Sequence, residues 1–151
     1  MERQRILLGN FLHLWPMITT DYVPLEKEYE LVSFDDDEFD LTGRFIMGFR
    51  YRDERHQVWT WKQMLEQVCK LMYKENPSSM TYLASKGYWI YETGNRERSR
   101  IADGCHVYSS CSTYTKRSIL SYLFRGMGIP SNVLEFEIAP LAERVTDSEE
   151  E

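Results

Sequence analysis

The chain has 151 residues, 42% hydrophobic and 14% aromatic, and a formal charge of −6. That length suits one domain, and the apolar content excludes bulk disorder for most of it. No apolar run approaches the ~18 residues of a membrane span, which excludes a membrane partner, and nothing in the sequence has a signal peptide's order of parts. Three cysteines, Cys69, Cys105 and Cys111, are an odd count without a secretory signal, which points to a reduced, cytoplasmic protein.

The charge is unevenly spread. Residues 1–43 hold three bases against ten acids, giving −7; residues 44–134 hold fourteen against seven, giving +7; residues 135–151 hold one against seven, giving −6. A basic middle therefore sits between two acidic arms.

In chain order, Leu7, Leu8, Phe11, Leu12 and Trp15 recur with the spacing of one helix face, and Pro16 should end that helix. So short an amphipathic helix needs a partner to dock on, with Leu8, Phe11, Leu12 and Trp15 as its contact face. Residues 17–38 read as an acidic linker, in which Tyr29, Leu31 and Phe34 are possible anchors. From Phe39 the pattern alternates through Leu41, Phe45, Met47, Phe49 and Tyr51, predicting a strand or hairpin. Asp53-Glu54 is the expected turn and 56–59 the return.

Thr60 and Gln63 form a capping box, predicting a helix to about Glu75 that buries Met64, Leu65, Val68, Leu71 and Met72. Asn76-Pro77 ends it, and residues 78–84 suit a short helical turn. Residues 88–91 read as a strand, 96–100 as an Arg-bearing loop, and 106–109 as a further strand after the Asp103-Gly104 turn. Ser112 or Thr113 caps a second helix, buried through Ile119, Leu120, Leu123 and Phe124, with Gly128 just past its end. Leu134, Phe136 and Ile138 alternate in a last strand.

The whole predicts an α+β fold, a mostly antiparallel sheet with two main helices on one face, plus the N-terminal amphipathic helix. The expected divisions are a docking helix at 1–16, an acidic linker at 17–38, an α+β domain at 39–140 and an acidic disordered tail at 141–151.

Chemistry is sparse. Cys105, His106 and Cys111 offer three metal ligands, but no second pair completes a tetrahedral set, so no metal is expected. Cys111 or Ser112 at a helix start lacks a linked base, and their ordinary roles are core thiol and cap. Phosphate-loop, dinucleotide and HNH nuclease patterns are absent, so neither catalysis nor a cofactor is expected. The remaining signal is cationic. Lys86, Arg96, Arg98, Arg100, Lys116 and Arg117 are interleaved with Tyr88, Trp89, Tyr91, Tyr108 and Tyr114, a combination suited to phosphates and unstacked bases.

The run from Val58 through Trp61, Leu65, Val68, Leu71 and Tyr73 to Pro77 resembles a recurring helix of a small module in bacterial restriction proteins. The Ser112-capped helix leading to Phe124 and Gly128, then Leu134-Glu135-Phe136-Glu137, is similar to that module's later elements. Arg5 to Pro16 is similar to the segment after the HNH nuclease domain in modification-dependent (type IV) restriction proteins with a ParB-like head. The catalytic histidines and nucleotide-binding head of those proteins lie outside the matching stretch. The resemblance implies a non-catalytic accessory module of a defence system that contacts DNA. Two alternatives stand beside it: an adaptor docking on a partner nuclease or restriction subunit, and an acidic inhibitor mimicking DNA.

Overall fold

The computed structural model describes residues 29–141. A compact unit spans Leu31–Ile138. Of the second unit, made of the terminal segments, only Tyr29, Glu30 and residues 139–141 are described. The proposed docking face of Leu8, Phe11, Leu12 and Trp15 lies outside the described residues, as do residues 142–151 of the expected tail.

The fold is α+β, built from seven strands and three α-helices among the described residues. In order these are β1 (Glu30–Ser33), β2 (Ile46–Tyr51), β3 (Glu54–Gln57), α1 (Trp61–Glu75), α2 (Pro77–Lys86), β4 (Ile90–Tyr91), β5 (Arg98–Ala102), β6 (Cys105–Tyr108), α3 (Thr113–Met127) and β7 (Leu134–Ile138). The strands make two sheets rather than one, in the orders β1-β7-β2-β3 and β4-β6-β5.

Local chemistry places the helices where the sequence predicts them. The Thr60 hydroxyl accepts from the Gln63 amide at 3.1 Å, and Gln63 Oε1 reaches back to the Trp59 amide, one residue beyond the cap. Ser112 Oγ accepts from the Thr115 amide at 3.1 Å, and Gly128 closes α3 with a left-handed φ of 71°. The segment expected as a short turn is the ten-residue helix α2. Asn76 makes it possible: its amide donates to Met72 O at the end of α1, while its side chain accepts from Ser79 N to start α2.

The strands show what periodicity alone misses. Tyr51 pairs with Glu54 across a two-residue turn at Arg52-Asp53, both at positive φ, so the return strand is Glu54–Gln57. Between Ile46 and Gly48 the register against β7 shifts by one residue. This bulge at Met47 turns Ile46 into the core beside Phe49 and Tyr51 and leaves Phe45 exposed, although strict alternation put Phe45 inside. The boundary expected at Phe39 also falls inside the folded unit. Val32 and Phe34 are buried, and Phe34 meets Phe124 edge-on at 5.4 Å and Phe136 at 6.1 Å. Apolar alternation over 32–34 outweighs the acidic run that follows it, so this stretch is core and not linker.

Glu137 is the other surprise. Its position on β7 predicts an exposed side chain, yet it is 0% exposed. Arg55 Nε donates to its carboxylate at 2.9 Å and Arg50 Nε at 3.1 Å. Gly48, paired with Glu137, leaves the space it occupies: a Cβ there would lie 2.9 Å from Glu137 Oε1.

Candidate nucleic-acid interface

The three-stranded sheet begins abruptly. Gly87 ends α2 in the left-handed region, and Trp89 holds a φ of 68°, a conformation that costs a residue with a Cβ of order 1 kcal/mol or more. Rings surround the strained residue: Trp89 stacks on Tyr108 at 5.8 Å, and Tyr88 touches both Trp89 and Tyr122. At the other end Gly104, at φ 73°, turns β5 into β6.

Alternation sorts the side chains of this sheet into two faces. Ile90, Val107 and Cys105 are buried against the helices. On the other face the pairing sets Tyr91, His106 and Arg100 in one row and Tyr108 opposite Arg98 in the next. The Arg98 guanidinium lies 3.6 Å from the Tyr91 ring centroid and donates to Thr93 O at 2.8 Å. Arg100, 62% exposed, pairs with exposed Asp103 at 2.5 Å, a contact worth little in water. Composition predicts a loop over 96–100. Arg98–Ala102 is instead an edge strand, because Ser99 and Ile101 supply inward positions between the arginines, the latter through a second register shift.

The loop before β5 closes over part of this face. Gly94 sits so near His106 that a Cβ would meet Cδ2 at 2.7 Å. Glu97 O accepts from the Ser109 and Ser110 amides, anchoring the loop's far end, and Arg96 stays exposed.

The six predicted cations do not share this face. Arg98 and Arg100 lie on it, and Arg96 is in the adjoining loop. Lys86 ends α2, its ammonium 5.1 Å over the exposed Tyr82 ring. Lys116 is only 6% exposed and donates to Cys111 O at 2.5 Å. Burial pushes its amine below the usual lysine range, so it is no surface cation. Arg117 donates to Phe34 O at 2.8 Å and Asp36 O at 3.0 Å, fastening the 34–37 loop to α3. Both had been expected at the interface because helical position says little about what the facing loop offers. The first-turn amides are also partly spent, since Thr115 N and Lys116 N bond to Ser112.

Thiol chemistry is suppressed. Burial raises Cys69, pushes Cys105 up to about 11, and raises Cys111 against the opposing charge of Lys116. Among the described residues no three His, Cys, Asp or Glu side chains gather as a metal set. Nor is any helix among them long and apolar enough to cross a membrane. One polar chain has no signal in the residue pattern: Ser99 Oγ donates to Glu66 at 2.6 Å and meets the Ser109 hydroxyl at 2.6 Å. It satisfies buried Ser109 and ties β5 to α1.

No family model matches the chain, and no curated protein or solved structure matches it.

Proposed function

We propose that the outward, partly covered face of the β4-β6-β5 sheet binds single-stranded nucleic acid, and that the protein is a non-catalytic accessory module of a restriction-like defence system. The observation that carries the binding claim is the stack of Arg98 on Tyr91 at 3.6 Å, on the same face as Arg100, His106 and Tyr108. An aromatic ring beside a guanidinium offers an unstacked base a π-surface and its phosphate a charge-assisted donor. The charge of this segment is balanced, because Glu92, Glu97 and Asp103 accompany Arg96, Arg98 and Arg100. Binding should therefore lean on stacking more than on charge. The defence-system assignment rests on the resemblance of the helices described above.

Fluorescence anisotropy with a labelled single-stranded DNA and its duplex form tests the proposal across salt. Single strands should bind more tightly, with a slope of log K on log salt of about −1 to −2, as two or so phosphate contacts require. Arg98→Glu should weaken binding about tenfold, the loss of one charge-assisted stacking contact. No binding at low salt, or equal binding by the Arg98 variant, overturns the interface.

A further inference from the structure

A concave feature lies away from that sheet face. The loop from Phe34 to Thr42 and the first half of α3 enclose a groove of about 570 Å³. That volume is in the range of sites that hold a small ligand or a few side chains. Its walls differ in kind. Phe34, Phe39 and Leu41 give an apolar floor continuous with the core. Across from them Tyr114 presents a ring that is 78% exposed, flanked by the Ser118 and Ser121 positions.

The rim is acidic through Asp37, Glu38 and Asp40, all exposed. The Thr42 amide and hydroxyl hold the Asp40 carboxyl below the usual carboxylate range. Among the described lining residues Arg117 is the one cation, set against three carboxylates; its Nη2 donates to the Phe34 and Asp36 carbonyls, and Asp37 lies 3.8 Å away. The rim thus keeps an excess of negative charge over a greasy floor. Phe39 already accommodates a guanidinium, that of Arg44, 5.1 Å from its centroid.

We infer that this groove is a docking site for a basic segment of a partner protein, an arginine- or lysine-bearing peptide with apolar side chains between its charges. The carboxylates would take the cationic heads, and Tyr114 and the floor would take the stems and the apolar neighbours. Phosphates are repelled here, so the site is separate from the proposed nucleic-acid face and does not rest on it.

The test is an amide NMR titration of the full chain with a capped hexapeptide alternating arginine and leucine, beside one with glutamate for arginine. The basic peptide should shift amides confined to residues 37–42 and 113–121, and the acidic one should shift none. Neutralising the rim with Asp37→Asn and Asp40→Asn should weaken binding about tenfold, whereas Asp53→Asn with Glu54→Gln, in the remote hairpin turn, should change it less than about twofold. Tyr114→Ala, an exposed change that spares the fold, should also weaken it several-fold. Shifts scattered over all acidic surfaces, equal losses from the two neutralised pairs, or binding of the acidic peptide overturns the inference.

Discussion

Arg98 and Arg117 are the same residue set to opposite uses. Arg98 sits over Tyr91 at 3.6 Å on a half-buried outward sheet face, tied to the backbone through a single carbonyl, that of Thr93. Arg117 sits farther from its ring, 5.6 Å from Phe34, but donates through Nη2 to two carbonyls and lies near Asp37. What separates them is the supply of acceptors around each. A helix residue facing a folded loop meets several carbonyls and becomes a staple, whereas a strand residue facing outward meets a ring and keeps its charge available. A count of cations in the sequence treats both alike.

Replacing whole groups sharpens this contrast, starting with the most committed arginines. Glu137→Ala removes the buried carboxylate that Arg50 and Arg55 share, and should cost about 3 kcal/mol in urea denaturation. Alkaline pH should come next. The Cys105 pKa is raised by burial to about 11 from near 9, so the unfolded chain releases this proton first. Stability is then constant below pH 9 and falls as pH rises towards 11, by up to about 2–3 kcal/mol from this group. Cys105→Ala should make the alkaline decline shallower, with Cys69 and Cys111, raised by the same cause, supplying the rest, and comparisons of the two arginines belong below pH 9.

Arg117→Ala should lose about 2 kcal/mol through its two charge-assisted carbonyl bonds. Amide exchange should quicken at residues 35–42, with affinity for single-stranded DNA unchanged. Arg98→Ala should be the mildest on stability, under about 1 kcal/mol, and the one that weakens DNA binding. The contrast breaks if the Arg117 variant loses affinity, or if the Arg98 variant is as unstable as the Arg117 one.

Features set by a few neighbouring residues were legible in the sequence. The Thr60–Gln63 and Ser112–Thr115 caps and the Gly128 stop appear at the expected positions because each is closed within one turn of chain. Features set by a distant partner were not. The bulge that buries Ile46 and exposes Phe45 depends on how β7 pairs, and the burial of Glu137 depends on two arginines more than eighty residues away. The candidate site divides in the same way. Arg98, Arg100, Tyr91 and Tyr108 were visible as residue types, but only strand pairing sets them on one face. Lys116 and Arg117 had the same composition and different neighbours. Asp37 and Glu38 fall in the expected linker and Asp40 just inside the expected domain, with no sign that they share a rim, because a groove exists only once the loop folds against α3.

The dual role of Asn76 has a mechanical consequence. With its amide finishing α1 and its carboxamide oxygen starting α2, the two helices share one hinge pin and have no slack between them. Unwinding the last turn of α1 removes the first restraint on α2, which leads through Gly87 into the strained Trp89 and the open sheet. The pair should therefore exchange, melt and respond to force as one lever, and a single inserted residue at this joint would uncouple it.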